Sequence, residues 1–476
     1  MIARVKTEHI HFIAIAGTGM GSLAGLLRAQ GHRVTGSDEG VYPPMSTALE
    51  GWGIPVALGF SPANLEGPRP DRVVIGNVVR RDNPEARAAI DGGLPYLSFP
   101  DALREFAIDG KHSIAVTGTH GKTTTTSMLA AMLLECGLDP SALVGGISAN
   151  LDGSFRIGAG DHFVVEGDEY DTAFFDKTPK FLHYAAKTAI LTSIEFDHAD
   201  IYRDLDHVKS AFRELVASLP EDGTLIANLD DANVREVAAG ARCRLVGYGR
   251  ERHEDAWHVG LGAIDAQGQR LEITEPEGAT HGAKLAFPGG HNAANATAAV
   301  ACAVSLGVAP AEAAAALPAW RGVKRRQELR GEPRGIAVID DFAHHPTAVR
   351  ETVAAVRAQY AGRRLVAIFE PRTNTSRRAI FQDDYAAAFD GADRVLVSIV
   401  PEAPLYSATG EVTELFSAVA LADALGARGL DARALDGADA ILSCLLSESE
   451  PGDVVLVMSN GAFDDIWEKL LGTLRA

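Results

Sequence analysis

Residues 113–124 read Ser113-Ile-Ala-Val-Thr-Gly-Thr-His-Gly-Lys-Thr-Thr124. A short apolar run meets two glycines, a lysine and consecutive threonines, and an apolar helical pattern follows. This is strand, glycine turn and helix, with the parts of a phosphate-binding loop: N–H groups to surround phosphates, Lys122 to supply charge, and the Thr123 hydroxyl to ligate magnesium. The spacing departs from G-x-x-x-x-G-K-[ST], because Val116 stands in the first glycine's place and Gly118 lies only three residues before Gly121. The loop is therefore a variant one.

Working outward, apolar runs ending in glycine or acidic residues alternate with helical patterns along the whole chain, which predicts parallel α/β domains. A chain of 476 residues exceeds a single hydrophobic core, and three units are expected: 1–109, 110–321 and 322–476. The first opens with a strand at 11–16, the turn Gly17-Thr-Gly-Met-Gly21 and a helix through Gln30. The second holds strands at 113–117, 163–166, 188–194 and 223–229, and Ala-rich helices at 292–306 and 309–317. The third holds strands at 336–340, 365–369, 394–399 and 453–458. Residues 107–112 read as the first linker.

Acidic residues outnumber basic ones, 63 to 44, giving a net charge of −19. Such a field repels polyanions and argues against nucleic acid as a partner, so a phosphorylated substrate must be held by local devices. Four scattered cysteines without zinc spacing read as reduced thiols. No apolar run reaches membrane-spanning length, and the chain is expected in the cytoplasm, without a membrane partner.

Gly17-x-Gly19, with Asp38 about twenty residues on, fits most of a dinucleotide fingerprint. Ser22 stands where its third glycine belongs, so the turn reads as a site for a pyrophosphate: NAD, in an oxidoreductase, or a UDP-sugar. In the second unit, two strands end in the clusters Glu166-Gly-Asp-Glu-Tyr-Asp171 and Glu195-Phe-Asp-His198, where parallel sheets collect ligands. Glu166 and His198 could converge on a magnesium region. Asp168, Glu169 and Asp171 stand evenly between ligands and solvated acids. Asn292 and Asn295 share one helix face and could meet an adenine. In the third unit, Lys324-Arg-Arg326 and Asp340-Asp-Phe-Ala-His-His345 flank one strand.

These motifs, in this order, resemble the ATP-dependent Mur ligases of bacterial cell-wall synthesis. The resemblance spans all three units and implies a Rossmann-like UDP-binding domain, a central P-loop ATPase domain with a mostly parallel sheet, and a C-terminal Rossmann-like domain. It implies ATP contacts at Gly118, Thr119, His120, Gly121, Lys122, Thr123, Thr124, Asn292, Asn295, Arg326 and Asp341. Magnesium would fall to Thr123 and Glu166, with His198 on a second ion; Lys122, Glu166 and His198 would be the catalytic set. The UDP-sugar would meet Gly17, Gly19, Met20, Gly21 and Asp38, and the peptide His344 and Arg372.

Within the family, 166–184, 76–85 and 369–375 are similar to the members that join UDP-N-acetylmuramate to the murein tripeptide L-alanyl-γ-D-glutamyl-meso-diaminopimelate recovered from old wall. Alanine-adding members carry two arginines and a tyrosine where this chain has Thr373, Ser376 and Phe342, which disfavours free alanine. Some members carry a carbamylated lysine fifteen residues after the metal histidine; Arg213 stands there, and no modified lysine is expected. The resemblance suggests a monomer, or at most a weak dimer. A non-catalytic ATP-binding switch is the remaining alternative.

Overall fold

The computed structural model describes residues 7–42, 45–151, 153–399, 405–407 and 410–475. Three main sheets follow one another along the chain. The first has five parallel strands in the order Val56–Leu58, Arg33–Asp38, His9–Ile13, Arg72–Ile75, Tyr96–Ser98. The order reverses around His9–Ile13, so the glycine turn that follows this strand opens at a topological switch point.

The second sheet has ten strands. Its centre is parallel: Thr224–Asn228, Thr188–Leu191, His112–Thr117 and His162–Glu166 lie side by side. Each is an apolar run of Val, Ile, Leu and Ala, as burial on both faces requires. Glu166 and the loops after Thr117 and Leu191 therefore gather at one sheet end. The outer strands Ala256–Asp265, Gly268–Thr274 and Thr280–Leu285 form an antiparallel meander. The sequence pattern does not announce this meander, because its strands are half solvent-facing and rich in glycine and charge.

The third sheet has six strands, in the order Glu328–Gly331, Ala337–Asp341, Val454–Met458, Leu365–Phe369, Arg394–Ile399, Asp431–Asp436. All pairs are parallel except that of Glu328–Gly331. Residues 365–369 and 394–399 coincide with the expected strands. The central strands stop earlier than expected, at Leu191 and Asn228, since 192–194 and 229 turn away to build the site. Among the described residues no helix is long and apolar enough to cross a membrane.

The run 166–184 is the joint between the first two sheets. Its hairpin, Asp171–Ala173 with Asp176–Pro179, leans on the first sheet through Phe175, whose ring meets Tyr96 edge-on at 5.2 Å. The next turn docks on the helix Phe99–Leu103, where His183 Nδ1 lies 2.8 Å from Asp101 Oδ1. Trp52 meets Phe155 at 5.4 Å, so the apolar core continues from one sheet into the next.

The stretch Asn83-Pro-Glu85 has a structural role. Asn83 caps the helix Pro84–Asp91 by accepting the Glu85 and Ala86 N–H groups. Glu85 is fully buried and accepts from His11, Ser37, Asn64 and the Ser61 N–H. Burial would raise its pKa, but the His11 bond and the other donors hold it below the usual range.

Removing Glu85 orphans four donors at once. Glu85→Ala is expected to destabilise the first domain by about 3–5 kcal/mol, measured by denaturant unfolding. The His183–Asp101 bond makes a second expectation, in pH. Its hydrogen bond to Asp101 raises His183 above 6.5, and the same bond lowers Asp101 below 3.8. The pair's stabilisation is complete between those values and fades as pH climbs through the raised histidine pKa. The difference in unfolding midpoint between wild type and Asp101→Asn should be larger at about pH 5.5 than at about pH 8.5.

Candidate active site

The strand His112–Thr117 ends in the turn 118–121, and the helix Lys122–Glu135 begins at once. Gly118 has φ +122° and Gly121 φ +82°; a Cβ would lie 2.2 Å from Thr192 Oγ1 at the first and 2.7 Å from Asn295 Oδ1 at the second. Both positions demand glycine on two counts. No side chain among the described residues caps the helix, which leaves its first-turn amides for an anion.

The Thr119 and His120 N–H groups are already bonded, to Ser193 O and Ser193 Oγ, both at 2.9 Å. These amides pin the loop to the end of the neighbouring strand, and both residues line the cleft. The anion-binding set thereby narrows to the amides at the helix start.

Lys122 Nζ donates to Gly118 O at 2.7 Å and to Glu169 Oε2 at 2.7 Å. Glu169 is 2 % exposed and also lies 3.2 Å from His198 Nε2. Burial alone would raise the Glu169 pKa, but the Lys122 charge and the His198 bond bring it down to about 2. Burial alone would lower His198, but Glu169 and Asp197 raise it to about 9. His198 thus faces Glu169 across 3.2 Å, a neighbour that favours its charged form. Glu169 is the inward-facing member of its acidic cluster, which pattern alone could not single out.

Thr123 Oγ1 donates to Glu166 Oε1 at 2.8 Å, and Gly145 N–H donates to Glu166 Oε2 at 2.7 Å. Surrounding protein, then the Asp168 charge, push the Glu166 pKa up. A hydroxyl and a carboxylate short of positive charge meet at the phosphate loop, a donor pair that suits a hard divalent cation.

The third domain closes over this region. Arg326 stacks on Phe342, 4.5 Å from the ring centroid, and reaches Thr123 Oγ1 at 3.4 Å. Asp341 accepts the Gln327 and Ala343 N–H groups, each at 2.8 Å, and so shapes the turn carrying His344. His344 lines the cleft, 3.8 Å from Asp197. Glu195 ties the loop to this domain, accepting from His120 at 2.8 Å and from Thr347 Oγ1 at 3.0 Å. Asn292 and Asn295, both nearly buried, line the same wall as Thr124.

All three domains wall one cleft of about 2290 Å³. A pocket for one small ligand is usually below about 1,000 Å³, so this one has room for more than one substrate. Gly17, Gly19 and Met20 line its far end. Gly21 does not; a Cβ there would collide with Met45 at 2.2 Å, so it is a packing glycine. Asp38 is not among the lining residues either, and its carboxylate accepts the N–H groups of Ala16 at 2.8 Å and Gly40 at 3.3 Å. It holds the turn. Arg372 is exposed, lies outside the cleft walls and packs across Gly461.

Three family descriptions match consecutive stretches: "Mur ligase family, catalytic domain" over 9–111, "Mur ligase middle domain" over 116–303, and "Mur ligase, glutamate ligase domain" over 325–461. The chain is 41% identical over 467 residues, 98% of each sequence, to the UDP-N-acetylmuramate–L-alanyl-γ-D-glutamyl-meso-2,6-diaminoheptandioate ligase of Escherichia coli (strain K12). The chain belongs to the Mur ligase family. The first glycine turn lies inside the family match, so the oxidoreductase reading is set aside.

Among solved structures, this Mur ligase resembles a murein peptide ligase from Psychrobacter arcticus 273-4, with TM-score 0.72, 36% identity and coverage of 98% of this chain and 99% of that one. It also resembles the UDP-N-acetylmuramate–alanine ligase of Thermotoga maritima, with TM-score 0.78, 25% identity and coverage of 98% and 99%. Backbone likeness does not choose between a peptide and alanine; side chains must.

Lys122→Met removes the phosphate-loop ammonium that bonds Glu169. Turnover is expected to fall by at least about a thousandfold while circular dichroism stays unchanged. Coupled ADP release measures the loss.

Proposed function

We propose that this Mur ligase joins UDP-N-acetylmuramate to L-alanyl-γ-D-glutamyl-meso-diaminopimelate, cleaving ATP to ADP and phosphate. The observation that carries the choice of amine lies at 373–376. Where alanine-adding members place two guanidinium groups, Thr373 Oγ1 donates to Ser376 Oγ at 2.8 Å. Two hydroxyls bonded to each other offer no charge to the carboxylate of a small amino acid. The Escherichia coli relative, named for the tripeptide reaction, supports the same choice.

In the first step a muramyl carboxylate oxygen bonds to the γ-phosphorus and the bond to ADP breaks. In the second, the peptide's amine nitrogen bonds to the acyl carbon, phosphate leaves and the nitrogen gives up a proton. The first step brings two anions together, so the site must supply positive charge that is already in place. Lys122, oriented by Glu169, supplies it at the phosphate loop, and the amides at the helix start receive phosphate oxygens. Thr123 and Glu166 would hold magnesium, which when bound adds charge beside the transferring phosphoryl group. His198, which faces Glu169, would be the donor for a second ion.

Asn292, Asn295, Arg326 and Asp341 border the region assigned to ATP. Gly17, Gly19 and Met20 open the region assigned to the UDP-sugar, and His344 the approach of the peptide. Holding three reactants in line contributes up to about 7–11 kcal/mol through proximity alone. Closed domains would also keep water from the acyl phosphate. Both activated substrates suit the cytoplasm.

The test offers UDP-N-acetylmuramate and ATP with either tripeptide or L-alanine, and reads phosphate release and product mass. The expected outcome is a muramyl-tripeptide amide, with L-alanine at least about tenfold poorer in kcat/KM. Preference for alanine would reverse the assignment, and phosphate release without an amide would favour a switch protein.

A further inference from the structure

Lys180 is 8 % exposed and lines the cleft, yet the roles proposed above leave it unused. Its ammonium sits 4.0 Å from the centre of the Tyr170 ring and 5.4 Å from that of Phe99. Two aromatic faces fix the position of the charge without consuming its hydrogen bonds. An ammonium has three N–H bonds to give, and among the described residues this one finds a single acceptor, Asp168 Oδ2, at a long 3.4 Å. A lysine held in this way on a cleft wall has N–H bonds left to give to an arriving anion.

Its place in the fold says which anion. Phe99 belongs to the first domain and also touches Gly19, whose Cβ would lie 3.6 Å from that ring. Asp168 lies two residues beyond Glu166, the carboxylate that accepts from Thr123 of the phosphate loop at 2.8 Å. Lys180 therefore stands between the glycine turn that would take the pyrophosphate and the loop that would take the γ-phosphate. The group that must travel this path is the carboxylate of the sugar acid. The short helix carrying Lys180 is itself clamped to the first domain by His183 and Asp101.

We infer that Lys180 binds the carboxylate of the UDP-linked sugar acid and positions it for attack at the phosphate loop. This rests on the proposed ligase reaction. Binding of UDP-N-acetylmuramate, and of UDP-N-acetylglucosamine, which lacks the carboxylate, is measured by calorimetry on the full chain carrying Lys180→Met. The expected result is at least about tenfold weaker binding of the muramate with glucosamine binding and the KM for ATP unchanged, and partial recovery in Lys180→Arg. Unaltered muramate affinity, or equal weakening of both nucleotides, overturns the inference. Should the methionine variant fail to fold, Lys180→Gln, which keeps a donor towards Asp168 but no charge, is read by the same criteria. A wild type that makes no amide defeats the proposed function; an active wild type with a methionine variant of unchanged muramate affinity defeats only the role of Lys180.

Discussion

One buried carboxylate organises the centre of the molecule. Glu169 bonds Lys122 on one oxygen and faces His198 on the other, so a lysine and a histidine from different loops meet at a single carboxylate. Coulomb attraction between unit charges at such distances is several kcal/mol even at an effective dielectric of about 20, which offsets the cost of taking the groups from water. The arrangement keeps Lys122 extended along its own loop instead of collapsed onto Glu166. It also leaves Glu166 with Thr123 and the Gly145 N–H as its direct partners, short of positive charge beside the place where phosphate would sit.

Much of the architecture is legible before any coordinate. Strands buried on both faces must be continuous apolar runs, so 365–369 and 394–399 declare themselves. The meander over 256–285 does not, since its outer residues face solvent and Leu261 is 44 % exposed. Side-chain direction is the harder level. Asp168, Glu169 and Asp171 are equivalent in a string of letters; only the path of the loop after Glu166 turns Glu169 inward. Lys180 is hidden for the same reason, because a lysine between prolines and aromatics reads as surface until the hairpin docks on the first domain.

Several motif residues also carry structural work. Asp38, Thr119, His120 and Gly21 sit at the spacing of ligand-binding motifs, but a tight turn must first satisfy its own backbone. Asp38 takes the Ala16 and Gly40 N–H groups, and Ser193 takes those of Thr119 and His120. Motif residues thus divide between those that build the cradle and those that face its contents, and spacing does not separate the two.

The overall charge of −19 sharpens the same point. An acidic protein with the proposed reaction, which takes two polyanionic nucleotides, cannot rely on its long-range field, which opposes them. It must concentrate cations where water is scarce, since screening spares buried charges. Lys122, Lys180 and Arg326 meet that need: each is largely shielded, and two of them are stacked on aromatic rings. Carboxylates beside Lys122 and Lys180 keep these cations stable in the empty protein. An arriving phosphate or carboxylate then shares an existing cation instead of assembling one, so the reorganisation that would otherwise raise the barrier is completed during folding.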